Sequence, residues 1–145
     1  MPISRFRPTL LALMLTALSL SSCKKDPSPT PQPTILTATQ LLTTGSWRLD
    51  QVKEGGQVTG TGAGIKDQFS LRFSIDESYI QKTLATNTVY LGTWLLSSDK
   101  TFLELTDNKG TKSEYAVAAL SATELRYSFT NKNGATDERT FSAQP

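Results

Sequence analysis

Phe69-Ser70-Leu71-Arg72-Phe73-Ser74-Ile75 sets an apolar side chain at every second position, with serine or arginine between. Successive side chains of a strand point to opposite faces. The alternation therefore predicts a strand with Phe69, Leu71, Phe73 and Ile75 against a core. The same period extends in both directions. Trp47 and Leu49 alternate with Ser46, Arg48 and Asp50, and Gln51 prolongs that face. Residues 78–84 and 88–96 predict two more strands. Leu103 and Leu105 share a face within 101–106, as do Tyr115, Val117 and Ala119 within 112–120. Leu125, Tyr127 and Phe129 alternate with Glu124, Arg126 and Ser128, and a last strand is predicted over 136–142. Turn chemistry separates these runs at Asp76-Glu77, 97–100, 107–110 and 131–134, the last with an Asn-Gly pair. Eight short strands at near-regular spacing predict an all-β domain. The architecture is an antiparallel up-and-down meander closed as a barrel, or else a sandwich. Closure removes the unpaired edges that an open meander leaves.

Before Gly45 the pattern changes. Residues 35–44 (ILTATQLLTT) predict a short helix, with Thr37 and Gln40 at capping-box spacing and Gly45 placed to end it. Leu36, Leu41 and Leu42 would then cover one end of the barrel. Residues 55–64 (GGQVTGTGAG) predict a flexible loop between the first two strands, at the barrel mouth. Its glycines do not make a phosphate-binding loop. The strand–loop–helix context is missing, and Lys66 is not followed by Ser or Thr.

The N-terminus reads as an address and an anchor. Residues 1–8 carry Arg5 and Arg7 and no acid, and 9–20 (TLLALMLTALSL) is an unbroken run of apolar and small residues. That run is short of the ~20 residues a membrane span needs, and has the length of a signal-peptide core. Leu20-Ser21-Ser22-Cys23 follows, and resembles the bacterial lipobox, in which an aliphatic and two small residues precede the cysteine that takes a diacylglycerol thioether. The resemblance implies that residues 1–22 are a lipoprotein signal peptide, removed in the mature chain, and that Cys23 carries palmitate-type acyl chains. An unmodified cysteine after an ordinary signal peptide is the alternative. Each buried acyl CH₂ contributes ~0.8 kcal/mol, so two or three chains anchor far more firmly than one.

Lys24-Lys25-Asp26 comes next. Lysine directly after the cysteine resembles outer-membrane sorting in Gram-negative lipoproteins, and the lysine-and-acid run resembles the surface-export signals of Bacteroidota lipoproteins. Pro27, Pro29, Pro31 and Pro33 then alternate with polar residues. Such a run favours polyproline II. At ~3.1 Å per residue it makes residues 23–34 a tether of roughly 35 Å ahead of a domain over 35–145.

Composition narrows the chemistry. The chain has 15 basic and 13 acidic residues; removal of Arg5 and Arg7 leaves 13 of each, so charge implies no nucleic-acid partner. There is no histidine and one cysteine, which removes the commonest general base, the commonest metal ligand and any internal disulfide. No serine stands in a nucleophile elbow, and Asp107-Asn108 offers too few ligands for calcium. The expectation is a monomeric non-enzyme with no cofactor and no metal.

Gly45-Ser46-Trp47, after the short helix, resembles the Gly-x-Trp signature of lipocalins, and Gly92-Thr93-Trp94-Leu95-Leu96 with Asp99 and Lys100 repeats the theme. Together they resemble the small lipocalin-like lipoproteins of Bacteroidota, over roughly residues 41–141. The resemblance implies a small eight-stranded barrel. In it Trp47 plugs the closed end and an arginine packs across the indole: Arg139, with Arg126 as runner-up. A guanidinium on an indole face is worth about 0.5–2 kcal/mol. The domain is short for a secreted lipocalin and lacks a disulfide.

The function implied is binding or transport of a small apolar ligand, uncharged or weakly charged. It would be lined by Phe69, Phe73, Tyr115 and Tyr127 and admitted at the end bearing 55–64. The alternative is a structural or protein-interaction lipoprotein of the envelope, with a packed barrel and no ligand. An interior pocket of ~300 Å³ or more would favour binding.

Overall fold

Nine strands form one antiparallel sheet in the computed structural model, which describes residues 35–144. The segments expected to be a signal peptide (1–22) and a tether (23–34), Cys23 among them, lie outside the described residues. The helix α1 (Ala38–Thr43) leads into β1 (Ser46–Glu54), β2 (Gln57–Thr61), β3 (Phe69–Phe73), β4 (Ser78–Thr83) and β5 (Val89–Leu96). These are followed by β6 (Phe102–Asp107), β7 (Lys112–Leu120), β8 (Glu124–Thr130) and β9 (Thr136–Gln144). From β3 onward each strand pairs with the next, and β9 returns to β1 along its length, from Ser46↔Gln144 to Lys53↔Glu138. The ring is closed, so the fold is a barrel rather than a sandwich.

Strand β1 meets both β2 and β3 on its other side. Its start pairs with β3 (Ser46↔Arg72 to Arg48↔Ser70) and its end with β2 (Gln51↔Thr61 to Glu54↔Gln57). The two are successive halves of one stave, interrupted by residues 62–68. The barrel therefore has eight staves, the predicted number.

Segment 55–64 is not the flexible loop that its composition predicts. Gly55 and Gly56 both have positive φ (55° and 84°), the requirement of a two-residue primed hairpin turn. Gln57–Thr61 then pairs with β1, and Gly62–Gly64 forms a single 3-10 turn. Ile65, just beyond, is buried in the core. Strand β2 shows no period-two signal because neither of its faces is buried.

Ile75 also departs from expectation. Strand β3 ends at Phe73, where the Ser74 amide donates to the Ser78 carbonyl (2.9 Å) and turns the chain. Ile75 is 83% exposed on that turn.

The helix is shorter than predicted but carries the capping box. The Gln40 amide donates to Thr37 Oγ1 (3.2 Å) and the Thr37 amide to Gln40 Oε1 (2.8 Å). Of the three leucines assigned to the barrel end, Leu42 is fully buried, Leu41 half-buried and Leu36 exposed. Gly45 does not end the helix through a left-handed conformation. A Cβ there would lie 2.6 Å from the Gln144 carbonyl oxygen, so glycine is needed for close approach of β1 and β9.

The core fills the end of the barrel that the helix covers. Trp47, Leu71, Phe73, Trp94, Leu103, Leu125 and Phe141 are buried there with Leu42. Both indoles spend their one donor on a main-chain carbonyl: Trp47 Nε1 on Leu42 (2.9 Å) and Trp94 Nε1 on Ser74 (3.0 Å). Among the described residues, every buried core residue lies between Leu42 and Phe141. With its own core and a closed hydrogen-bond ring, the unit meets the requirements for folding alone.

Three turns are held by aspartates. Asp76 accepts from the Ser78 hydroxyl (2.6 Å) and amide (3.1 Å), and Asp99 from the Ser97 and Thr101 hydroxyls and the Thr101 amide. Asp107 accepts from the amides of Lys109 and Thr111 (2.8 Å each). These bonds favour the carboxylate, and each acid is held below its ordinary 3.8: Asp76 chiefly by the Ser78 hydroxyl, Asp99 by the Ser97 hydroxyl, Asp107 by the Thr111 amide. A carboxyl depressed in the folded state contributes stability above its unfolded pKa, and that stability is lost as pH falls through the folded value. Urea midpoints should thus be flat above about pH 5 and fall below about pH 4. The triple Asp→Asn variant, which keeps acceptors but cannot titrate, should show a shallower fall. Equal slopes in the two proteins would locate acid sensitivity elsewhere.

Candidate functional site: the open mouth of the barrel

The end of the barrel opposite the helix is where β1, β4, β6 and β8 finish and β3, β5, β7 and β9 begin. Strand register decides what points into it. Leu49 pairs with Phe141, Val52 with Arg139 and Tyr127 with Arg139, and cross-strand partners share a face. Phe141 and Tyr127 are core residues, so Arg139 faces inward. Phe69 lies in phase with buried Leu71 and Phe73.

Of these, Leu49, Val52, Phe69 and Arg139 border a cleft of about 400 Å³. Leu49, Val52, Ile65 and Phe69 give it apolar walls, Gly60 and Gly64 a backbone wall, and Glu54, Lys66 and Asp67 an exposed rim of mixed charge. A second depression, of about 530 Å³, is bordered by Phe69, Gln81, Thr83 and Tyr90. The 62–68 excursion is thus the departure from a plain stave that borders the cleft. It opens the wall and drops Ile65 into the gap.

Of the four residues expected to line a ligand site, only Phe69 borders the cleft. Its ring meets Phe141 edge-on, with centroids 5.7 Å apart. Phe73 is sealed in the helix end, 5.6 Å from Trp94 and 6.4 Å from Tyr79. Tyr127 packs on Tyr115 (4.4 Å) and Phe141 (5.2 Å), and Tyr115 meets Phe129 edge-on (5.5 Å). Those rings fill the barrel below the cleft rather than lining it. Burial drives the Tyr127 phenol far above its usual range, and raises Tyr79 too, with Tyr115 and Asp107 adding to the shift. Both hydroxyls stay protonated at neutral pH.

The expected arginine lid over Trp47 is not formed. Trp47 pairs with Ala143, whereas Arg139 stands beside Val52, nearer the mouth. The Arg139 guanidinium lies over Phe129, 5.3 Å from the ring centroid, and Nη1 donates to the Lys53 (3.3 Å) and Glu138 (3.2 Å) carbonyls. Arg126, the other candidate, faces out, its Nε 3.7 Å from Glu124 Oε1. Leu42 and the Trp47 hydrogen bond close the floor instead.

Asp137 is a site residue that the sequence reading missed. Buried at the mouth, its Oδ1 accepts from the Gly55 amide (3.1 Å) and Asn131 Nδ2 (3.0 Å). It ties the β1–β2 turn to the β8–β9 turn. Its place two residues before Arg139 and four before Phe141 was the available signal. Among the described residues, no three His, Cys, Asp or Glu side chains converge on a metal site.

No family model matches the chain, and no curated protein matches it. Solved structures do. The crystal structure of a lipocalin-like protein from Bacteroides uniformis is similar at 18% identity and a TM-score of 0.52, over 72% of this chain and 99% of that one. A second Bacteroides uniformis protein, solved by NMR, is similar at 22% identity and a TM-score of 0.50, over 76% of this chain and 94% of that one. At these identities the likeness concerns the fold, and the fold is a lipocalin-like eight-stave barrel.

Proposed function

We propose that this chain is a lipid-anchored binding module, held to the outer membrane through Cys23, whose barrel takes up a small and largely apolar ligand at its open mouth. The observation that carries the reading is the cleft of about 400 Å³ beside Leu49, Val52, Ile65 and Phe69. Its size falls in the ~300–1,000 Å³ range of small-molecule sites, and four apolar side chains supply desolvation and dispersion. The Cys23 anchor rests on the lipobox-like Leu20-Ser21-Ser22-Cys23. Binding rather than catalysis fits a cleft whose walls are mainly apolar side chains and glycine backbone.

A filled barrel in a structural lipoprotein is the second reading. It is favoured by the packing of Phe73, Tyr115 and Tyr127, whose rings fill the barrel below the mouth. Native mass spectrometry of the protein gently extracted from membranes tests both parts. The expected spectrum shows a chain starting at Cys23 with acyl mass on that residue, plus a population carrying one small ligand that is lost on activation. Cys23→Ser should leave unprocessed precursor or release the protein from the membrane fraction. An unmodified Cys23 overturns the anchor, and absence of any adduct favours the filled barrel.

A further inference from the structure

We propose that Arg139 is an anion anchor inside the mouth cleft, and that the ligand is amphipathic: an apolar body with one anionic head group, a carboxylate, sulfonate or phosphate monoester. This deepens the binding reading above and rests on it.

Arg139 is the one charged side chain bordering the cleft that is not exposed; Glu54, Lys66 and Asp67 are all on the exposed rim. Among the described residues no carboxylate forms an ion pair with it. Its neighbour Glu138 is paired with Lys53 Nζ (2.9 Å), while the buried Asp137 carboxylate, two residues away on the same face, accepts from the Gly55 amide and Asn131 Nδ2, neutral donors that leave its charge in place. The guanidinium is nonetheless held firmly. Phe129 supports one face and two main-chain carbonyls fix Nη1. That leaves Nε and Nη2 as donors with no hydrogen bond to any of the described residues. A half-buried cation with no direct ion-pair partner forgoes part of its hydration. It recovers that loss only from water or from an anion in the cleft.

The geometry suits the second partner. A planar guanidinium fork matches carboxylate, sulfonate or phosphate oxygens, and a fixed fork loses little entropy on pairing. Leu49, Val52, Ile65 and Phe69 stand beside it for the apolar body. Rim carboxylates at Glu54 and Asp67 are solvated, so salt and water screen their repulsion of an incoming head group. The ligand expected from sequence, uncharged or weakly charged, is revised accordingly.

The test uses the soluble chain 24–145, which keeps the whole barrel, and two fluorescent probes of nearly the same shape. 1-Anilinonaphthalene-8-sulfonate carries one sulfonate, and N-phenyl-1-naphthylamine is its uncharged counterpart. The wild type should bind the sulfonate about ten-fold or more tighter, the size of one charge-assisted hydrogen bond in a partly dry site. Arg139→Gln should remove that preference, read as the ratio of the two probes' affinities for the same variant. Arg139→Lys should retain part of it, because the charge stays and the fork is lost. Equal wild-type affinities for the two probes, or a preference that survives Arg139→Gln, overturn the anchor and leave the apolar cleft standing. Failure of both probes to bind overturns the cleft as well. The wild-type comparison decides the matter even if the variants do not fold.

Discussion

Trp47→Ala should lose about 3–5 kcal/mol of stability, the usual cost of deleting a fully buried tryptophan side chain. A domain of this size holds only about 5–15 kcal/mol in total. The thermal midpoint should therefore fall by roughly 12–20 °C, or cooperative unfolding should vanish. The reason is position as well as size. Trp47 is buried beside Leu71 and Ala143, its partners on the two neighbouring strands, at the point where β9 closes the ring onto β1. Its indole N–H also satisfies the Leu42 carbonyl, one of the last-turn helix carbonyls that have no partner within the helix. Trp47→Phe separates the two contributions. Most apolar area remains, but the Leu42 carbonyl loses its donor, at about 1–3 kcal/mol. Its signature should be faster amide exchange in Ala38–Thr43 with the barrel amides still protected. A Trp47→Ala protein melting within a few degrees of wild type would show that the floor is sealed by other residues.

The limits of legibility in the sequence follow the same packing. Strands β3 and β8 could be read because one face of each is buried, and burial on one face is what period two records: Leu71 and Phe73, Leu125 and Tyr127. Strand β2 could not, since Val58 and its neighbours face solvent. Only the Gly55-Gly56 pair betrayed the hairpin, and in a glycine-rich stretch it read as flexibility. Ile75 continued the alternation past the last paired residue, because nothing in the local pattern marks where hydrogen bonding stops. The inward face of β9 was legible from Phe141, but the depth of Arg139 along the barrel was not. Depth depends on register, and β1 and β9 slip between Leu49 and Gln51. An arginine assigned to the floor therefore stands at the mouth, beside Val52. The cleft itself arises from the 62–68 excursion, a three-dimensional consequence of a broken stave that no periodicity encodes.

Gly92→Ala should be the second large loss, against local preference. At an unstrained strand position, replacing glycine by alanine stabilises by about 0.4–1 kcal/mol, because the unfolded chain has less freedom to lose. Gly92 has no positive φ to protect, so conformation gives no reason for glycine. Steric contact does. A Cβ there would press on the Thr106 carbonyl oxygen of the paired strand and lie 2.5 Å and 2.9 Å from ring atoms of Tyr79, its partner on the other side. The Tyr79 ring lies across the glycine, an aromatic covering a gap left by the missing side chain. To admit a methyl group, the ring must swing away, yet it packs on Phe73, which packs on Trp94. Strands β5 and β6 must also part, since a carbonyl cannot rotate aside as a side chain can. Overpacking of this kind costs about 1–3 kcal/mol, and with backbone on one side the upper end applies, so the steric cost exceeds the entropic gain. We expect a net loss of about 2 kcal/mol and an altered near-ultraviolet circular dichroism from Tyr79 and Trp94. Gly92→Ala with Tyr79→Leu should recover only part of the stability, because the Thr106 contact persists. Gly64→Ala is the control: a Cβ there meets nothing within 4 Å and the φ is not positive, so its midpoint should stay within a degree or two of wild type. If Gly92→Ala melts like that control, the Gly-x-Trp pattern at 92–94 has no steric basis in this barrel.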